Sequence, residues 1–416
     1  MTASHTKGYT NNLWYYFDMT GKSDGGWPAI TTEARPWVRS GDEVASRRAL
    51  MRARGDYEAA VPAHLARIHV SLAPEVLAMA DDASRELTRF DSEIGAITAP
   101  FASILLRTES ASSSEVENLT SSAKQVALAE IGASGSGNAK LVVANARAMV
   151  AALELADHFG VDAIIAMQEA LLGESAPHFA GQFRSQQVWI GGGSLSPHAA
   201  AFVPPHYERV PELMDDLVEF ANRTDVPVLA HAALTHAQFE TIHPFSDGNG
   251  RTGRALLHSM LRRGGITQNV TVPVSAGLLR DTHAYFDALT AFREGDAGAI
   301  VEAVSEAAFL AIRNGRGLVS DLGNVRASWK ERVVARTGSA AARLGNVLLR
   351  QPVVSAKVVA KELKVSEVAA QGAIDRFMTA GALVSTNNWK RNRIWHAPEV
   401  LEALDQFGER SRRSRV

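Results

Sequence analysis

Thr241-Ile-His-Pro-Phe-Ser-Asp-Gly-Asn-Gly-Arg-Thr-Gly-Arg254 gathers a histidine, a carboxylate, a glycine-framed turn and two arginines into fourteen consecutive positions. Before it, Val226 to Ile242 carries apolar Val228, Leu234 and Phe239 among alanines, and Pro227 sits where a first helical turn tolerates proline. This spacing predicts a helix that ends at His243, because Pro244 lacks an N–H and biases the preceding residue away from the α region. Gly248-Asn249-Gly250 then permits positive φ at either glycine, the backbone condition for a nest of N–H groups that binds an anion. A second helix is predicted from near Arg251, through Leu256, Leu257, Met260 and Leu261, to the stop at Gly264-Gly265. Its N-terminus faces whatever the nest holds, and its dipole favours phosphate.

The side chains suit the same ligand. Arg251 and Arg254 lie three apart on the first turn, and guanidinium forks match phosphate oxygens. Asp247 offers a hard oxygen to Mg²⁺, which takes one or two carboxylates together with nucleotide phosphates. His243 has a reference pKa near ~6.5 and suits proton abstraction from a hydroxyl. Base, metal ligand, anion cradle and charge clamp together describe transfer of a phosphate-containing group to a hydroxyl. A plain interhelical turn with a capping Asp and surface arginines needs neither the His-Pro pair nor two arginines at this spacing.

The run from His243 to Arg254 resembles the signature of the Fic family, His-Pro-Phe-x-(Asp/Glu)-Gly-Asn-Gly-Arg-x-x-Arg, at every defined position. The resemblance implies a protein adenylyltransferase that moves AMP from ATP to a Ser, Thr or Tyr hydroxyl of a target protein or of itself. It implies His243 as the base, Asp247 as the Mg²⁺ ligand, and Gly248, Asn249 and Gly250 as the polyphosphate cradle. Arg251 would contact the phosphates, Arg254 the γ-phosphate, and Phe245 would anchor the loop. Leu105 to Asn118 reads by composition as a polar segment leading into a helix, but Ser113-x-x-x-Glu117-Asn118 resembles the inhibitory motif many family members carry ahead of the core. Glu117 would then pair with Arg254, occupying the γ-phosphate's partner and placing like charge beside an incoming triphosphate.

The remaining segments are read around this core. The expected fold is mainly α: a Fic-type helical core with a β-hairpin flap, and a C-terminal winged-helix domain. Residues 1–98 form an N-terminal arm and helical region, with Trp14, Tyr15, Tyr16, Trp27 and Trp37 packing on the body and a helical hairpin from Glu43 to Ile97. Residues 99–130 form the inhibitory segment and 131–315 the core, opening with a loop at Ile131 to Lys140 and helices from about Leu141. Val188-Trp189-Ile190 reads as strand before a glycine stop, and the resemblance makes it a flap that holds the target by strand addition. Pro211 to Asn222 reads as a helix. His231 and His236 cannot converge with His243 on a metal from one helix, so they belong to the core. Tyr285 is a candidate adenosine contact by resemblance.

Residues 316–405 read as three helices and a two-stranded ribbon, a winged-helix module, and 406–416 as a basic tail, Arg-rich and disordered from Glu409. From Arg316 onward there are 18 Lys+Arg against 9 Asp+Glu, while the remainder has 25 against 36. A basic module suits an acidic partner such as DNA, yet its last helix carries Glu367, Gln371 and Asp375 with Arg376 alone basic, which suits a protein partner or a structural role.

The chain has 416 residues, 46% apolar, enough for a large core in two or three units. It has no cysteine, which excludes disulfides, thiolate metal sites and cysteine nucleophiles. No signal peptide opens it, and no apolar run approaches the ~18 residues of a membrane helix, so the expectation is a soluble cytoplasmic protein without a membrane partner. Two function classes stay open. One is the autoinhibited adenylyltransferase. The other is a winged-helix DNA- or protein-binding regulator whose core senses nucleotide, removes AMP or transfers another phosphate-linked group.

Overall fold

A computed structural model describes residues 26–38, 46, 51, 53–97, 100–133, 135–193, 195–386 and 392–412. The first element among the described residues is an antiparallel hairpin, β1 (Thr31–Pro36) and β2 (Asp56–Val61), in a register that pairs Thr31 with Val61 and Pro36 with Asp56. This corrects the helical hairpin expected from Glu43. In Asp56-Tyr-Glu-Ala-Ala-Val61 the buried side chains begin at Tyr57 and Ala59, a two-residue period that the four-residue spacing of Val61 and Leu65 concealed. Later in that segment comes the helix α1 (Pro74–Gly95), which starts with proline in its first turn.

The body follows as α2 (Phe101–Val116), α3 (Ala123–Glu130), α4 (Gly137–Glu154), α5 (Val161–Leu172), α6 (Val210–Ala221), α7 (Val228–Ile242), α8 (Asn249–Arg263), α9 (Val274–Leu278), α10 (Thr282–Glu294) and α11 (Ala297–Arg332). Helix α4 begins earlier than expected because the Ser136 side chain accepts from Ala139 N–H and caps it, drawing Gly137 to Lys140 into its first turn. Every residue of α7 from Leu229 onward is buried, so this helix is the axis of the domain. Helices α1, α6, α8, α10 and α11 pack around it.

The expected strand at Val188-Trp189-Ile190 reduces to one bridge, between Ile190 and Phe202. Neighbouring side chains take the main-chain acceptors that a longer ladder would use. Arg184 Nη1 donates to Gln186 O at 3.2 Å, and Gln187 Nε2 donates to Val188 O and Pro204 O, each at 2.9 Å. β2 joins this region through Ala60 N–H to Val203 O, and Trp37 stands edge-on against Trp189 at 5.5 Å. Trp27 packs on Phe292, whereas Trp14, Tyr15 and Tyr16 lie outside the described residues.

Helix α11, 36 residues long, crosses position 316 without a break, so the change of unit comes at Val333. Beyond it stand α12 (Ala340–Arg350), β3 (Val353–Val354), α13 (Ala356–Leu363), α14 (Glu367–Thr379), β4 (Val384–Ser385), β5 (Trp395–His396) and α15 (Pro398–Arg412). The three strands form one antiparallel sheet in the order β3-β5-β4. Ser339, Ser355 and Ser366 cap the three helices that begin this unit. Asn387, Asn388, Lys390 and Arg391 of the expected ribbon lie outside the described residues. The tail expected from 406 is corrected in part: 406–412 complete α15, because Phe407 and Ser411 are buried against α11 and Asn314 Nδ2 donates to both residues. Among the described residues no helix is long and apolar enough to cross a membrane.

One close approach sets the spacing of α9 on α11. A Cβ at Gly277 would lie 2.1 Å from Ala307 O, a backbone atom that cannot step aside. Gly277→Ala is expected to lower unfolding free energy by about 1–3 kcal/mol, measured by chemical denaturation. A change within ~0.5 kcal/mol would show that the two helices can separate freely.

Candidate functional site

The site is the turn between α7 and α8. His243 ends α7 in a left-handed conformation, φ 51°, with its N–H donated to Phe239 O. Exclusion from the α region by Pro244 thus sends His243 to positive φ rather than to extended backbone. Phe245 is buried against Phe183 and Phe239. Asn249 closes the loop on it, accepting from Phe245 N–H at 2.9 Å and donating to Phe245 O at 2.8 Å. Of the two glycines expected at positive φ, Gly248 alone takes it, at 80°, and a Cβ there would also strike Leu171 at 2.7 Å. Gly250 lies inside the first turn of α8. Asp247 is an exposed side chain whose Oδ1 accepts from Gly248 N–H at 2.6 Å.

Glu117 comes to this turn from α2. Its Oε1 accepts from Arg254 Nη2 at 2.9 Å and its Oε2 from Arg251 Nε at 2.7 Å. Pairing with Arg254 was expected; the second arginine was not. A Cβ at Gly250 would fall 2.5 Å from Glu117 Oε1, so the carboxylate rests on the first turn of α8, where backbone and dipole favour an anion. Ser113 shares Arg254: its Oγ accepts from Nε at 2.9 Å and its carbonyl from Nη2 at 2.6 Å. Asn118 explains its own place in the motif. It adopts φ 61° just past the end of α2, while Leu119 N–H bonds Ser114 O, a left-handed termination that turns the chain beside Glu117. Arg251 and Arg254 side chains are each 4% exposed, and Arg251 Nη1 is buried without a partner.

Several residues of the site carry no local sequence signal. Arg184 donates to His243 O, Pro205 O and Ile242 O and pairs with no carboxylate among the described residues; burial pulls its pKa down to about 10, still a cation at neutral pH. His243 is pushed down to about 3 by burial and by the charges of Arg184 and Arg293, so its ring is neutral. Gln168 bonds Gly181 N–H and Asp247 O, tying the flap segment to the loop. His231 faces the core, donating from Nε2 to Phe220 O at 2.9 Å. His236 bonds the Tyr285 hydroxyl at 2.8 Å with the rings stacked, and burial followed by the Arg254 charge lowers His236 to about 3. Tyr285 is 2% exposed, which places it in the wall behind Arg254 rather than on an open nucleotide face. Val188 and Trp189 are half-buried, and Ile190 is exposed.

Among the described residues no three His, Cys, Asp or Glu side chains group as a metal site. A Mg²⁺ ion here would rely on Asp247 together with oxygens of the nucleotide, and the exposed Asp247 carboxylate fits that mode.

Residues 158–261, which hold this turn and α5 to α8, match the model of the Fic/DOC family. The chain contains a Fic domain. Protein adenylyltransferase fic-1 of Caenorhabditis elegans is 34% identical over 121 residues, 28% of this chain and 22% of that relative. Protein adenylyltransferase Fic of Nematostella vectensis is 32% identical over 147 residues, 35% of this chain and 31% of the relative. The chain thus spans under a third of the length of either. A crystal structure of a Fic family protein from Desulfovibrio desulfuricans G20 is similar in fold over 79% of this chain and 97% of that one, with a TM-score of 0.51 and 22% identity.

Glu240, one turn before His243 in the Fic domain, is buried with Oε1 unpartnered, and burial raises its pKa from 4.5 to about 7 despite Arg254. The folded chain therefore binds a proton that the unfolded chain releases above pH 4.5; this stabilisation is complete below that pH and is lost as pH rises through about 7. Glu240→Gln is expected to equal wild type near pH 4.5 and to exceed it at pH 8 by about 1–3 kcal/mol, read from denaturation midpoints. A constant offset across that range would remove the buried-proton assignment.

Proposed function

We propose that this chain transfers the AMP moiety of ATP to a hydroxyl of a protein side chain, and that Glu117 holds the site off. The observation that carries the reading is the shared pairing of Glu117 with Arg251 and Arg254 over the N-terminus of α8: an anion site filled by the chain's own carboxylate. The named adenylyltransferase relatives support AMP as the transferred group.

In this reading the triphosphate displaces Glu117, and the two guanidiniums and the N-terminus of α8 take up its charge. The target hydroxyl passes its proton to the neutral imidazole of His243 while its oxygen attacks the α-phosphorus. The bond from that phosphorus to the bridging oxygen breaks, and pyrophosphate leaves with its electrons. The nucleotide's negative charge counters Arg184 and Arg293 and raises the basicity of His243 toward a useful range. Mg²⁺, held by Asp247 with the phosphates, would supply further charge neutralisation. The target segment lies beside Val188, Trp189 and Ile190, with its hydroxyl toward His243.

We read the C-terminal unit as a winged helix, supported by its order of helix, strand, two helices and two strands. The outer face of α14 carries Glu367, Gln371 and Asp375, and Arg376 donates to Val334 O. This favours a protein-facing or structural role over major-groove reading.

The test is incorporation of label from α-phosphate-labelled ATP with Mg²⁺, into the protein and into a lysate. Glu117→Gly is expected to raise labelling at least tenfold, a barrier change of about 1.4 kcal/mol. Adding His243→Ala should cut it by roughly 10²–10⁴ while ATP affinity holds. No α-label from Glu117→Gly protein that binds ATP would sink the adenylyl reading.

A further inference from the structure

The inhibitory segment touches more than the Fic domain. Arg412, on the last turn of α15, donates to both carboxylate oxygens of Glu115, with Nη2 to Oε2 at 2.8 Å. Asp405 Oδ1 accepts from Ala123 N–H at 3.2 Å, at the start of α3. Gln351, at the end of α12, donates from Nε2 to Ala127 O at 2.9 Å and accepts from Arg107 Nη2 at 3.3 Å. Arg107 also pairs with Glu130 at 2.8 Å, and two of its other nitrogens are buried without partners at this seam. Ala127 and Leu128 pack against Val353 and Ile394. Glu117 thus sits in the turn between two helices that the C-terminal unit grips at both ends.

We propose that the C-terminal unit is the catch on the brake: disengaging it from α2 and α3 is what frees Glu117 from Arg251 and Arg254. The proposal rests on the reading of Glu117 as inhibitory. On the Fic side, α2 is held chiefly by Glu109, which accepts from Ser275 N–H at 2.9 Å and Ser275 Oγ at 2.5 Å, and by Asn145, which donates to Ser110 O at 2.8 Å. Nearer Glu117, Arg254 bonds Ser113 Oγ and O and Asn145 Nδ2 donates to Ser114 Oγ at 3.2 Å, so the end of α2 is shared between the Fic side and the C-terminal unit, and among the described residues the latter alone holds the Glu115 carboxylate. The seam itself is only partly closed. A cleft of about 500 Å³ runs between Ile131 to Ala133 and Lys357, Gln371 and Trp395. Parting the seam would uncover the buried cluster of Ala127, Leu128, Val353 and Ile394, so the catch holds until something offsets that exposure.

The experiment uses the full chain carrying Gln351→Ala, Arg412→Ala, both together, and the reversal Glu115→Arg with Arg412→Glu. Amide hydrogen exchange over residues 115–130, ATP affinity, and α-phosphate label incorporation are measured with and without Glu117→Gly. The paired variant is expected to exchange roughly threefold to tenfold faster at these amides, with α7 and α8 unchanged, and to gain ATP affinity and label by a similar factor. In the Glu117→Gly background it should add nothing, and the charge reversal should return values toward wild type. Unchanged exchange, or added labelling in the Glu117→Gly background, overturns the catch. If Glu117→Gly protein labels strongly while the paired variant stays at the wild-type level, the catch fails and the adenylyl reading stands. If neither labels, the adenylyl reading fails, and exchange with ATP affinity still decides the catch.

Discussion

Two guanidiniums with almost no exposure, Arg251 and Arg254, share the Glu117 carboxylate at the head of α8, and Arg251 reaches the exposed Asp247 as well at 3.4 Å. Burying two cations is costly unless a counter-charge with good geometry comes with them. Glu117 supplies it with one oxygen for each arginine, and Ser113 satisfies more of Arg254. The same demand makes the site a receptor for phosphate: whatever removes Glu117 leaves two buried cations and a helix N-terminus short of an anion. Inhibition and affinity therefore arise from one electrostatic need, and triphosphate and carboxylate compete to meet it.

The loop can present these groups because its own backbone is closed without them. Asn249 bonds both main-chain atoms of Phe245, and Phe245 is buried between two other phenylalanines. Arg184 ties down three carbonyls around His243, and burial, followed by the charges of Arg184 and Arg293, keeps the imidazole neutral. The chemistry is thus set by packing from outside the motif as much as by the motif.

How far the sequence was readable follows the range of the interactions. The stop of α7 before Pro244 was legible because proline acts on its own neighbour, whereas α8 starts at Asn249, two residues ahead of the Arg251 expected. The Ser113 and Glu117 spacing was legible by resemblance, and its partner Arg254 with it. Arg251 as a second partner was not, since the two residues are 134 positions apart and meet only when α2 crosses α8. Arg184, Glu240 and Gln168 were missed for the same reason: their roles are made by burial and by main-chain atoms elsewhere. The N-terminal hairpin was misread where Ala-rich sequence fits either period, and the flap strand was overcalled where side chains claim the ladder's acceptors.

The left-handed φ of His243 bears on how its chemistry can be isolated. A residue with a Cβ placed there carries a penalty of about 1–2 kcal/mol, which asparagine bears most easily because its short polar side chain bonds locally. Alanine at 243 would remove a proton acceptor and also loosen the backbone that sets Pro244 and Phe245. Loss of rate would then mix two causes, one in the imidazole and one in the peptide chain. The position asks two things of its occupant, basicity and tolerance of an unusual backbone, and asparagine keeps the second while removing the first.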